Sequence, residues 1–227
     1  MKKIPILAFI AVSVFVASCQ KDPDTDRLDN DYLVYTNYDN GTDFNTIGTF
    51  HVIDSILIIG NDEKSSYWNN ANSQKIVNAF EAGFEGAGYI PVDNAEEADA
   101  ILQLSYVNTT YYFSSFGTGP WWNSYPGYWN WGGWGWYYPY TFTYSYSTGS
   151  IIGELVDCNS PSPQNDKLTV VWNSYICGLL NGNNLSLSRT MDAISQAFKQ
   201  SPYLKKSNAG TAGTIQERNK RIGKNTD

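Results

Sequence analysis

Ala100-Ile101-Leu102-Gln103-Leu104-Ser105-Tyr106-Val107 reads as a strand, and Ser150-Ile151-Ile152-Gly153-Glu154-Leu155-Val156 reads as a second one. Between them, residues 111 to 146 are half Phe, Tyr and Trp, and Gly, Pro, Ser, Thr and Asn make up most of the remainder. The insert therefore reads as a giant hairpin connection between neighbouring strands, which makes it an exposed loop. In the first strand Leu102, Leu104 and Tyr106 share a face opposite Gln103 and Ser105, so one face is expected to be buried.

Working outward, Leu168 to Ile176 is a further strand, separated from Ile151 to Val156 by a loop with Pro161, Pro163 and Asn165. Trp172 is expected to face the same way as Val170 and Ile176. Upstream, Tyr32 to Tyr38 and Thr49 to Ile59 are rich in aromatic and β-branched residues and read as strands, with the turn dipeptide Asn40-Gly41 between them. Ile76, Val77, Phe80, Phe84 and Ala87 recur at helical spacing behind Ser73 as N-cap, and Gly86 and Gly88 end that helix. Leu187, Met191, Ile194 and Phe198 trace a second apolar stripe, capped by Ser186 or Ser188 and stopped by Ser201-Pro202. The order β-β-α-β-β-β-α predicts one α+β domain over residues 32 to 204: an antiparallel or mixed sheet, two helices packed on one face, and a long aromatic hairpin insert.

The ends of the chain have a different character. Lys2 and Lys3 precede an apolar run, Ile4 to Val16, that is too short to span a bilayer, so residues 1 to 18 read as a secretory signal peptide. It closes on Val16-Ala17-Ser18-Cys19, which resembles the bacterial lipoprotein cleavage box, with Cys19 as the acylated residue. Each buried methylene of an acyl chain adds about 0.8 kcal/mol of membrane affinity, and several chains together anchor stably. Residues 19 to 31 are charged and contain Pro23, as a solvated acidic tether does, and Lys21-Asp22 resembles the surface-export signal of Bacteroidetes lipoproteins. Asp22, Asp24 and Asp26 alternate as in a calcium loop, but Arg27 and Leu33 stand where the turn glycine and closing glutamate belong. Residues 205 to 227 hold few hydrophobic residues beyond Ile215 and Ile222, and disorder is expected there.

Charge and cysteine content narrow the function. The formal charge is -7, and losing Lys2 and Lys3 with the leader makes it more negative, which argues against nucleic acid as a partner. Cys158 and Cys177 would lie roughly 25 to 30 Å apart along the predicted hairpin at ~3.3 Å per residue, so both are read as free.

A family resemblance rests on short motifs. Val34-Tyr35, Tyr38-Asp39 and Asp43-Phe44-Asn45-Thr46-Ile47-Gly48-Thr49-Phe50 resemble the opening of the domain of unknown function 4136 family. Residues 83 to 89 resemble its helix end, Ala98-Asp99-Ala100-Ile101-Leu102 its central strand, residues 149 to 157 its Gly-led strand and Val170-Val171-Trp172 the strand that follows. The resemblance spans residues 32 to 203 and implies a bacterial lipoprotein with no assigned activity. The loop from Asn159 to Asp166 is longer than the tight turn usual in that family.

Catalytic chemistry has little to work with. The lone histidine, His51, sits inside a predicted strand with no Cys or carboxylate pair at ligand spacing, and Glu96-Glu97 and Asp62-Glu63 lie in polar links. No catalytic residue, metal or cofactor is expected. The insert is the remaining candidate for contact, through Trp121, Trp122, Tyr125, Tyr128, Trp129, Trp131, Trp134, Trp136 and Tyr138. Flat indole and phenol faces suit sugar rings, protein interfaces and lipid headgroup layers, and can also clasp one another across a hairpin. Asp54-Ser55-Ile56 resembles an O-glycosylation acceptor motif, with Ser55 modified. The expectation is a lipid-anchored cell-envelope protein of the outer membrane, possible at the cell surface, with a non-catalytic binding or assembly role. A glycan-binding lipoprotein is the alternative, and an envelope hydrolase stands behind both.

Overall fold

The central strand of the sheet is β6, Ala100–Val107, and everything else is arranged about it. In the computed structural model the described residues are 32–59, 66–108, 111–115, 135–140, 142–146, 149–161, 167–181 and 184–207. They belong to one compact unit, Asp31–Asp227. The leader, residues 1–18, the tether, 19–31, and the tail from 208 onward lie outside the described residues.

On one side of β6, β10 (Ser150–Pro161) runs antiparallel to it, followed by β11 (Lys167–Cys177) and the edge strand β1 (Leu33–Tyr38). On the other side β2 (Thr49–Val52) and β3 (Ile56–Ile59) both run parallel to β6, so the sheet is mixed. The expected single strand from Thr49 to Ile59 is broken at Ile53, Asp54 and Ser55, because Phe50 pairs with Ala100 while Leu57 pairs with Ser105, leaving two residues too many on the outer strand. Two short strands absent from the sequence reading complete this side: β4 (Ser66–Trp68) on β3 and β5 (Ile90–Pro91) on β2.

The helices α1 (Ala71–Ala87) and α2 (Leu187–Gln200) pack on one face, with Ile76, Val77, Phe80, Phe84, Ala193 and Ile194 against Phe50, Leu102, Leu104, Ile151, Leu155 and Trp172. Fully burying one such aliphatic or aromatic side chain stabilises by roughly 1.5–3 kcal/mol. The N-cap of α1 is Asn70, three residues before the expected Ser73. Asn70 Oδ1 accepts from the Asn72 and Ser73 amides, and Ser73 Oγ accepts from the Asn70 amide to close a capping box. Gly86 lies within the helix, and Gly88, at φ 100°, ends it in the left-handed conformation. Gly83 permits the helices to meet, since a Cβ there would fall 2.1 Å from Phe198.

Trp172 is the hub of this core. Its ring meets Phe84 at 5.3 Å edge-on and Phe198 at 5.7 Å stacked, and its Nε1 donates to Ser201 Oγ at 3.0 Å. Val170 does not share its face. Leu155 pairs with Trp172 and Val156 with Val170, so Val171 is an extra residue that turns Val170 to the far side of the sheet.

Cys158 and Cys177 are both free. Burial, with Asp157 and Asp99 nearby, pushes the Cys158 thiol up to about 12. The start of the expected tail is docked: the Lys206 amide donates to the Ala87 carbonyl at 3.0 Å, its Nζ donates to the Ile47 carbonyl and lies 4.7 Å from the Tyr89 ring centroid.

Candidate functional site

The aromatic insert is held by two sets of strand pairings, one within itself and one to the main sheet. Its outer limbs, β7 (Tyr111–Ser115) and β9 (Phe142–Tyr146), form an antiparallel ladder from Tyr111 opposite Tyr146 to Ser115 opposite Phe142, as a hairpin stem requires. The second anchorage was not expected. Gly135–Tyr137 forms β8, which runs parallel to Lys167, Leu168 and Thr169 of β11 and shares that strand's outer edge with β1.

From there Trp136 and Tyr138 turn onto the face of the sheet opposite the helices and are buried, at 4% and 3% exposure. They pack with Leu57, Ile59, Val107, Ile152, Val156, Val170 and Tyr175 in a second hydrophobic cluster. Trp136 and Tyr138 are therefore core residues of the domain, a correction to their reading as exposed contact residues. The signal for this was present in the strands. Ile151-Ile152 and Val170-Val171-Trp172 put large apolar groups on both faces, and a sheet apolar on both faces needs two covers, whereas two helices supply one. Trp121, Trp122, Tyr125, Tyr128, Trp129, Trp131 and Trp134 lie outside the described residues, as does Cys19.

Under Tyr138 runs a buried polar row. Gln103, Glu154 and Asn173 stand directly opposite one another on β6, β10 and β11, so their side chains share one face. The Tyr138 hydroxyl donates to Glu154 Oε1, and the Tyr140 hydroxyl donates to Asn173 Oδ1 at 3.2 Å. Gln103 Nε2 donates to the Leu104 carbonyl at 2.7 Å, and Ser150 Oγ and the Tyr175 hydroxyl pair at 3.1 Å. Glu154 Oε2, Gln103 Oε1 and Ser105 Oγ have no hydrogen-bond partner among the described residues. Burial drives the Glu154 carboxyl well above the usual carboxylate range. Gln103 and Ser105, expected on an open face of β6, are fully buried.

Among the described residues, no second carboxylate stands directly across from Glu154 in this row. The cross-strand neighbours of Glu154 are two amides. His51 is on β2, with Nδ1 3.0 Å from the Val92 carbonyl, and Asp54 is exposed at the bend between β2 and β3. Ser55 is half-buried at the same bend rather than within a strand.

The family model for the domain of unknown function DUF4136 matches residues 34–203. The chain belongs to the DUF4136 family. A crystal structure of a DUF4136 family protein from Bacteroides thetaiotaomicron is 42% identical, aligns over 78% of this chain and 99% of its own, and superposes with a TM-score of 0.67. Dodecameric PelC from Paraburkholderia phytofirmans (10% identity, 78% and 98% coverage, TM-score 0.37) and a PDZ domain protein from Parabacteroides distasonis (14% identity, 76% and 36% coverage, TM-score 0.35) are more distant. No curated protein matches the chain.

Two motifs of this DUF4136 chain, Gly48-Thr49 and Ala98-Asp99-Ala100, meet in one structural clamp. Asp99 Oδ2 accepts from the Gly48 amide at 2.7 Å, the Thr49 amide at 2.8 Å and Thr49 Oγ1 at 3.1 Å, while Oδ1 accepts from Asn159 Nδ2 at 3.2 Å. The clamp starts β2 and β6 in register. A hydrogen bond to a charged acceptor contributes about 1.5–3 kcal/mol, and a buried donor left unpaired costs about 1–3. Asp99→Ala is accordingly expected to lower unfolding free energy by about 3 kcal/mol in urea titrations, and Asp99→Asn by less. Equal midpoints for wild type and Asp99→Ala would show that the clamp contributes nothing.

Proposed function

We propose that this DUF4136 member is a lipid-anchored protein of the cell envelope that acts by binding or assembly, without catalysis, through its aromatic insert. The observation that carries the reading is the anchorage of the insert. Its stem is a five-pair ladder, Gly135–Tyr137 pairs with the main sheet, and the Trp- and Tyr-rich sequence 116 to 134 falls between these two paired segments. Tethering both ends lowers the entropy lost when those rings are ordered against a partner. Val16-Ala17-Ser18-Cys19 supports the lipid anchor, and among the described residues no helix is long and apolar enough to cross a membrane. His51 Nδ1 is engaged by the Val92 carbonyl and the cross-strand neighbours of Glu154 are the amides Gln103 and Asn173, which supports a role other than hydrolysis.

The anchor and the insert are tested separately. Cys19→Ser is expected to move the protein from the membrane fraction to the soluble fraction; retention on washed membranes would sink the anchor. For the insert, Trp121, Trp122, Trp129, Trp131 and Trp134 are replaced together by Ser, leaving β7, β8 and β9 unaltered. Self-association measured by sedimentation, or capture on a glycan array, is expected to fall at least tenfold with an unchanged unfolding midpoint. Loss of glycan capture alone would assign the partner to sugars. Unchanged behaviour in both assays would overturn the role of the insert.

A further inference from the structure

Beyond the insert, the helical side of the domain carries a groove of about 470 Å³ between α1 and α2. Ligand-sized clefts run from about 300 to 1,000 Å³ and are mostly apolar with a few convergent polar groups. The floor here is Ala82, Gly83 and Gly86 of α1 and Met191, Ile194 and Phe198 of α2. Gly83 meets Phe198 close to the C-terminal ends of both helices, and the segment that follows α2 brings the Lys206 amide to the Ala87 carbonyl at the end of α1, so the C-terminal ends lie together and the two ends of the groove differ. Met191 stands at one end. At the other stand Lys199 and Lys205, both exposed, and among the described residues that line the groove none is acidic. Both charged residues of its lining are thus basic, in a chain of net charge -7.

Gly86 adds a second observation. It lies inside α1, where glycine is less favourable than alanine, and a Cβ at its position would meet nothing within 4 Å. Among the described residues nothing fills the space beside it. The chain's own residues 208–227 do not suit the site, because Arg218, Lys220, Arg221 and Lys224 outnumber Glu217 and Asp227 and the lysine rim would repel them.

We propose that the α1–α2 groove is a binding site for a long-chain carboxylate, its acyl chain lying over Gly86, Ala82 and Met191 and its carboxylate held between Lys199 and Lys205. The apolar floor shields the chain from water, and the two ammonium groups select the charged end.

The test is calorimetric titration of dodecanoate and of dodecanol into the full chain carrying Cys19→Ser, so that no acyl group of its own competes. Dodecanoate is expected to bind once per chain. Lys199→Gln with Lys205→Gln, two exposed positions whose replacement leaves the core intact, is expected to weaken dodecanoate about tenfold and to leave dodecanol unchanged. Ala82→Phe, which fills the groove, is expected to weaken both at least tenfold. Absence of dodecanoate binding to the parent chain overturns the site, as does binding that neither variant alters. Equal weakening of acid and alcohol by the lysine changes overturns the carboxylate assignment.

Discussion

Replacing residues 111 to 146 by a short Asn-Gly turn is expected to remove the domain's cooperative unfolding transition or to shift its urea midpoint sharply downward. Read from sequence alone, the same change should restore a tight hairpin at little cost, since the flanking strands β6 and β10 are antiparallel neighbours. The difference lies in Trp136 and Tyr138, which the shortened chain would lack. Truncating one buried Trp or Phe costs about 3–5 kcal/mol, and the deletion would also uncover Ile152, Val156, Val170 and the polar row beneath them. Against a total stability of about 5–15 kcal/mol, losing both rings takes most of what is available. Trp136→Ala, with the rest of the insert kept, isolates the effect and is expected to lower unfolding free energy by about 3–5 kcal/mol. A shortened chain that unfolds at the parent's midpoint would show that the insert is a passenger after all. This is why binding through the insert has to be probed by substitutions between residues 116 and 134, and not by excision.

The same pair of residues shows where sequence reading succeeds and where it stops. Strands β1, β6, β10 and β11 and both helices are legible because each carries its own periodicity, and the α+β class follows from their order. The direction of pairing is not local. Nothing in Thr49 to Ile59 says that these residues lie parallel to β6, or that Ile53 to Ser55 must bulge to keep that register. Ser73 competes with Asn70 as a cap because both residue types cap well, and only the backbone geometry separates them. Trp136 and Tyr138 stand in a run where nearly every residue is aromatic or glycine, so no alternation marks the two that turn inward. Their burial is legible only from the opposite side, in strands whose two apolar faces both need a cover. Gln103 and Ser105 mislead in the complementary way, since polar residues at alternate positions ordinarily mark a solvated face.

Glu154→Gln is expected to stabilise the protein at pH 8 and to leave it nearly unchanged at pH 4. The carboxyl is raised in the folded state by burial, so the folded chain holds its proton at pH values where the unfolded chain has released it. The contribution of that proton is therefore complete below the unfolded value of about 4.3 and is lost as pH rises from there through the folded value. Each unit between the two values is worth about 1.4 kcal/mol, so the loss over the neutral range is readily measured in urea titrations. Glutamine keeps the shape and an acceptor for the Tyr138 hydroxyl, supplies a donor one strand away from the orphaned Gln103 Oε1, and does not titrate. An ionised Glu154 needs water that the buried row does not admit, and hydrating it requires Tyr138, the roof over this row, to lift despite its hydrogen bond to the carboxylate. Limited proteolysis within residues 116 to 134 should then quicken with rising pH in the parent chain and much less in Glu154→Gln. If stability falls with the same slope from pH 4 to pH 8 in both proteins, Glu154 is not the titrating group and the roof is held by packing alone.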